Sequence, residues 1–269
     1  MTLQKTRVGR RGVVAILALC TALTSIAVSA VAGPPNVLFI PIDDLNHWVG
    51  HLGGCPQART PNIDRLAASG VAFRHAYCAA PACNPSRLAL MSGLRPHTTG
   101  CYDNGQDWQG VVGVEKCLNQ VFLNAGYQTF GAGKVYHGSQ GRDAGWTEYY
   151  ATPRRAEPPL HPTAKNPGVG GIRFAPLACS DQEMPDYDNV SYGIEVLSRQ
   201  HARPFFLAVG LVKPHLPFNV PKKWFDAFPL DEIELPPHID GDLDDVPPAG
   251  VRMAKPEGDH RRILASGRW

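Results

Sequence analysis

Two unbroken apolar runs, at residues 36–42 and 204–212, dominate the hydropathy pattern of the chain. A run without polar alternation predicts a strand buried on both faces, as inside a parallel sheet. Each run empties into charge. The first ends in Asp43-Asp44 and the second in Lys213-Pro214-His215-Leu216-Pro217-Phe218. A shorter run at 127–131 leads likewise into Gly133-Lys134-Val135-Tyr136-His137, and residues 71–77 read as a further strand. Helical segments alternate with these. Residues 60–70 open on a capping Thr60 with Pro61 in the first turn and stop at Gly70, so both ends of a short helix are marked. Residues 115–125 fit an amphipathic helix stopped at Gly126, 186–200 a helix weakened by Gly193, and 221–228 a short one. Residues 138–185 read as loop, and the acidic, Pro-rich tract 230–248 as an extended surface connection. Strands alternating with helices predict an α/β fold with a mostly parallel sheet flanked by helices.

In open α/β sheets ligands gather at the carboxyl ends of the strands, which is where the charges fall. Two adjacent carboxylates there are costly unless neutralised, and oxygen ligands of this kind select Ca²⁺ or Mg²⁺. Taken alone, Asp43-Asp44 reads as a solvated acidic turn rather than a cation site. Lys134 can contact an oxyanion, and His137 can move a proton near neutral pH.

The remaining chemistry lies in Cys83-Asn84-Pro85-Ser86-Arg87, followed by the apolar helical run Leu88-Ala89-Leu90-Met91 and Ser92-Gly93. Pro85 suits the first turn of a helix, which puts Cys83 at the helix N-terminus, where unpaired amides favour an anion. Arg87 falls one turn on and adds a fixed positive charge. A nucleophile, a helix N-terminus and an arginine together describe a site for a tetrahedral oxyanion.

Length and charge set the bounds. With 269 residues the chain can form one large α/β domain or two small ones. Its net charge is +2, but Lys5, Arg7, Arg10 and Arg11 stand in an opening segment without acids, and the chain without that segment carries −2. No nucleic-acid partner is expected. The opening segment reads as a secretory signal over residues 1–32, with a basic start, an apolar stretch and Ala30-Val31-Ala32 as the cleavage site. An exported protein without a stable membrane anchor follows, periplasmic or extracellular, or in a lysosome-type compartment in a eukaryote. Six cysteines remain after that cleavage, at 55, 78, 83, 101, 117 and 179, with no C-x-x-C zinc pair and no pairing legible.

The Cys-x-Pro-Ser-Arg stretch with its following Ser-Gly resembles the signature of the type I sulfatases, matching at Cys83, Pro85, Ser86, Arg87 and Gly93. It departs at Asn84, where a small residue is more usual, and at Ser92, where threonine is. Thr60-Pro61-Asn62-Ile63-Asp64-Arg65-Leu66, Gly133-Lys134 with His137, and Lys213-Pro214-His215 extend the resemblance over roughly residues 34–230. Arg95-Pro96, Thr98-Thr99 and Tyr102-Asp103 are similar to the iduronate-2-sulfatase-like branch.

The resemblance implies an alkaline phosphatase-like domain that removes sulfate from a sulfated polysaccharide. It implies that a maturation enzyme oxidises Cys83 to formylglycine, whose hydrate attacks sulfate. Asp43, Asp44 and residue 83 would hold Ca²⁺, or Mg²⁺ in its place. Arg87 and Lys134 would steady the formylglycine and the sulfuryl oxygens, and His137 would help expel sulfate from the covalent intermediate. Lys213 and His215 would contact the substrate, His215 on the leaving-group side. A phosphoester or phosphonate hydrolase of the same superfamily and an inactive sulfated-glycan binder are the alternatives.

Two carboxylates are few for a cation that takes six to eight oxygen ligands. In the family a later strand supplies more, so residues 33–269 read as the N-terminal part of a catalytic domain, binding Ca²⁺ weakly and turning over little by itself. Asp259-His260 is followed by Arg261 rather than Gly, with no buried strand before it, and reads as an exposed helix start rather than a ligand pair.

Overall fold

A computed structural model describes residues 33–165, 168–169, 172–254 and 258–267. The predicted secretory signal at 1–32 lies outside the described residues. Among those described, no helix is long and apolar enough to cross a membrane.

The main sheet contains β1 (Val37–Phe39), β2 (Gln128–Gly133), β3 (Glu148–Tyr150) and β6 (Phe205–Gly210), in the order β1-β6-β2-β3, all parallel. Strand β6 is central, with Val37 opposite Phe206 on one side and Gln128 opposite Phe205 on the other. All six of its residues are buried, as the unbroken run predicts. Strand alternation divides them between two cores. Phe206 and Ala208 face Leu88, Met91, Trp108 and Tyr136, while Phe205, Leu207 and Val209 face Phe130, Tyr192 and Val196. Leu88 and Met91 come from α2 (Cys83–Ser92) on the first face, and Tyr192 and Val196 from α5 (Pro185–Ser198) on the second. Of the helices between, α1 (Pro61–Ala68) has Pro61 in its first turn, and α3 (Pro96–Thr99) is a single turn. The predicted helix at 115–125 is divided, a 3₁₀ turn at Val114–Lys116 and then α4 (Leu118–Asn124).

Three expectations need correction. Strand β1 is not buried on both faces: Leu38 and Ile40 are 47% and 45% exposed. It stands at the edge of the sheet, with β6 on one side and no strand of the described residues on the other. Residues 71–77 form no strand; Val71, Phe73 and Tyr77 are each about 80% exposed, because no neighbouring strand offers their backbone a partner. The stretch 138–185 is not loop throughout. It holds β3, β4 (Gly168–Val169) and β5 (Ile172–Leu177), and β5 pairs in parallel with β7 (Phe218–Pro221) in a second sheet ordered β4-β5-β7.

Beyond β7 come α6 (Lys222–Asp226) and a largely exposed tract to α7 (Pro248–Ala254), as predicted for a surface connection. Helix α8 (Gly258–Ser266) has Asp259 and His260 in its first turn, as expected, but half-buried rather than exposed, because it packs on β4 and β5 with Ile263 fully buried.

Candidate active site

Three strand ends and one helix N-terminus meet at a single point. Beyond β1, Ile42 bridges Leu211, and the Asp43 amide donates to the Leu211 carbonyl at 3.1 Å. The chain then turns through Asp44, a non-glycine residue with φ of +58°, which aims two successive carboxylates into the same space. Beyond β2, the Lys134 amide donates to the Gly210 carbonyl at 2.9 Å. Glycine is required at 210, because a Cβ there would collide with the Lys134 carbonyl. Helix α2 begins at Cys83 itself, with extended Ala82 as its N-cap.

Asp43 is the hub. Its side chain is 5% exposed; one carboxylate oxygen accepts from Arg87 Nη2 at 2.6 Å and the other from Lys134 Nζ. Burial pushes its carboxyl up, but hydrogen bonds and charge from Lys134 and Arg87 outweigh this and hold it below the ordinary value. The second Arg87 nitrogen donates to the carbonyls of Lys134 and Val135, tying the helix to the end of β2. The Cys83 thiol lies 3.8 Å from Asp43 Oδ1 and 3.7 Å from Lys134 Nζ. His215 Nε2 completes the group, 3.9 Å from Asp43 Oδ2 and 3.7 Å from Asp44 Oδ2. Ligating atoms of Asp43, Asp44, Cys83 and His215 all lie within 4.8 Å of one another. The cluster opens into a cavity of about 570 Å³ also lined by Arg87, Ser86 and Asn104.

His137 sits beside this group, half-buried, with Nδ1 enclosed and unpartnered. Burial lowers its pKa, and the Lys134 and Arg87 charges lower it further against a smaller opposing pull from Asp43, so the ring is neutral at pH 7. Lys213 is not brought to the cleft. Its ammonium donates to the carbonyls of His215 (3.2 Å) and Pro217 on the far side of the turn, where the residue lines a separate apolar cavity of about 650 Å³. Burial lowers its pKa, with Asp186 and Glu157 opposing. Asp259 and His260 take no part in the cluster, and Asp259 pairs with Arg262 at 2.8 Å.

Sequence reading missed two contributors. Asn84, the departure from the signature, is 1% exposed, and its side-chain amide donates to the carbonyls of Asp103 and Gln106 at 3.1 and 2.8 Å. Asn104 returns the contact, its Oδ1 accepting from the Asn84 backbone amide at 2.9 Å. One of the helix N-terminal amides expected to serve an anion is therefore occupied by this loop, and Asn104 is carried into the cleft wall. The only signal was an amide side chain where a small residue is usual.

The family model named Sulfatase matches residues 35–235. The chain belongs to the sulfatase family. It is 36% identical over 242 residues to a sulfatase of Formosa agariphila, covering 81% of this chain and 46% of that protein. It is 34% identical to iduronate 2-sulfatase of Homo sapiens, covering 75% and 39%. The chain thus spans less than half the length of these curated relatives. Among solved structures, phosphonate monoester hydrolase of Agrobacterium radiobacter superposes with a TM-score of 0.60 at 21% identity, covering 75% of this chain and 45% of that one. That likeness concerns the fold, an alkaline phosphatase-like α/β domain.

Proposed function

We propose that this sulfatase-family protein hydrolyses sulfate esters of a polysaccharide, with a 2-sulfated uronate as preferred substrate, after a maturation enzyme converts Cys83 to formylglycine. The observation that carries the reading is the Asp43 hub: one buried carboxylate holding Arg87 and Lys134 against Cys83, with His215 facing it. A thiol is a poor nucleophile toward sulfate, whereas this setting of fixed cations suits charge developing on sulfuryl oxygens.

The residues present fit a hard divalent cation. Asp43 and Asp44 supply hard oxygens; Asp43 Oδ1 accepts from Arg87 and the Cys83 thiol, while Oδ2 accepts from Lys134 and keeps a lone pair for a cation. The sulfur of Cys83 is too soft for Ca²⁺, but it marks where the hydroxyl oxygens of a formylglycine hydrate would stand. The charges of Arg87 and Lys134 cancel those of Asp43 and Asp44, so a divalent ion would give the cleft net attraction for an anionic ester. When present, formylglycine supplies the hydroxyl nucleophile and Ca²⁺ polarises the sulfate.

The chain's own groups do the rest. Arg87 and Lys134 hold Asp43 and face the sulfuryl oxygens. His137, beside the hub, would take up the proton released at position 83 as sulfate is expelled. His215 would donate a proton from Nε2 to the leaving oxygen, its Nδ1–H held by the Leu216 carbonyl at 2.6 Å. With the leader at residues 1–32 the protein would be exported, where sulfated glycans are met.

Three measurements test this. Peptide mass spectrometry of the Cys83 peptide from co-expression with a maturation enzyme should find the aldehyde or its hydrate; unmodified thiol with sulfate release intact would end the mechanism. Sulfate release from defined heparan and dermatan disaccharides should favour the 2-sulfated uronate. Activity confined to 6-sulfated hexosamines, or faster turnover of aryl phosphate than of aryl sulfate, would reassign the substrate.

A further inference from the structure

We propose that Asp186 and Lys213 are positioning residues that hold the turn after β6 so that His215 faces the Asp43–Asp44 pair. This rests on the assignment of His215 to the reacting side of the cleft.

Past the Ile42–Leu211 bridge, the turn from Val212 to Pro217 lies outside any strand or helix and has a backbone bond from the His215 amide to the Val212 carbonyl at 2.9 Å, yet it must present one imidazole to the cleft. Two side-chain ties add to that backbone bond. The first comes from outside: Asp186, in the first turn of α5, accepts the Val212 amide with both carboxylate oxygens (2.9 and 3.0 Å) and the Lys213 amide with one (2.9 Å). These amides leave the sheet at the end of β6, so the carboxylate takes over where strand pairing stops. The second is internal. The Lys213 ammonium donates to the carbonyls of His215 and Pro217, and so gathers the backbone on both sides of Leu216. The Leu216 carbonyl then accepts from His215 Nδ1 at 2.6 Å, which fixes the ring and turns Nε2 toward the carboxylates 3.7 and 3.9 Å away. Helix α5, the two amides, the ammonium, the carbonyls and the imidazole form one continuous series. Removing the ammonium leaves two carbonyls without their donor and frees the turn to relax.

This gives Lys213 a task that needs no contact with substrate, consistent with its side chain lying in the wall of the other cavity. It also explains the carboxylate at 186: its hydrogen bonds among the described residues go to the Val212 and Lys213 backbone amides, and its charge acts on the Lys213 ammonium.

The test uses the full matured chain and the variants Lys213→Met, Lys213→Arg and Asp186→Asn. Imidazole ¹H–¹⁵N correlation spectra of His215 give a readout independent of turnover. In the parent, Nδ1 should carry a slowly exchanging proton. In Lys213→Met and Asp186→Asn that signal should shift or vanish while thermal unfolding stays cooperative, and Lys213→Arg, which keeps charge and donors, should restore it. With aryl sulfate, kcat should fall about 100-fold in Lys213→Met with KM little changed, the scale of a displacement near 1 Å. A folded Lys213→Met protein with the parental His215 signal would overturn the proposal, as would a loss appearing only in KM, which would mean direct substrate contact. A parent chain that binds no sulfate ester and releases no sulfate would instead overturn the sulfatase reading, and the spectra would still decide the positioning role.

Discussion

Replacing Arg87 by Met keeps the stem of the side chain and removes the guanidinium from a site where it is 7% exposed. The loss has two parts. Asp43, buried, loses one of two cations, and the carbonyls of Lys134 and Val135 lose their donor. Breaking a buried ion pair from one side costs about 3–5 kcal/mol. Because Lys134 remains on the other carboxylate oxygen, the lower end applies, about 3 kcal/mol. Urea unfolding followed by tryptophan fluorescence reports on this core, since Trp108 is buried and stacked on Tyr136 at 5.2 Å. At a slope near ~2 kcal/mol per molar urea, the midpoint should drop by roughly 1.5 M. The decisive measurement is the double-mutant cycle with Asp43→Asn. If the two side chains stabilise the site as a pair, the double variant should lose about 2 kcal/mol less than the sum of the single losses. A coupling below about 0.5 kcal/mol would refute the hub, because it would mean that Arg87 acts through packing alone.

Asp43 also sets an acid limit. A carboxyl held below its ordinary value of 3.8 adds stability that is present above that pH and lost as pH falls through the folded-state value, so Asp43→Asn should flatten the acid limb of a stability–pH curve below pH 3.8. Ca²⁺ should bind weakly, with a dissociation constant near ~10⁻⁴–10⁻³ M by calorimetry, since the described cluster offers few oxygens; tight binding lost in Asp259→Ala would show a ligand outside the cluster. Gly210→Ala should cost about 1–3 kcal/mol and displace Lys134, visible as lost turnover alongside a lowered melting temperature. Cys83→Ala should abolish sulfate release while changing stability by no more than about 1 kcal/mol.

Sequence alone determined the elements whose information is local. The run at 204–212 could only be a buried strand, because its length and unbroken apolarity leave no face for water. Pro85 marked the first turn of the helix that carries Cys83, since its φ is fixed by its own ring rather than by neighbours. The charged residues at strand ends were legible for the same reason: a parallel sheet delivers its carboxyl ends to one edge whatever lies between.

Tertiary structure decided whatever depended on a partner distant in the chain. Residues 71–77 carry strand propensity, but a strand exists only where another backbone supplies hydrogen bonds, and none of the described residues does so there. Leu38 and Ile40 are exposed because β1 is an edge, a fact of strand order that β1 itself does not encode. Lys213 sits two residues from His215 in sequence, yet the turn sends its ammonium to the opposite side. Asn84, Asn104 and Asp186 act through backbone amides and carbonyls, which carry no residue-specific mark, so their partners emerge only when the chain is folded.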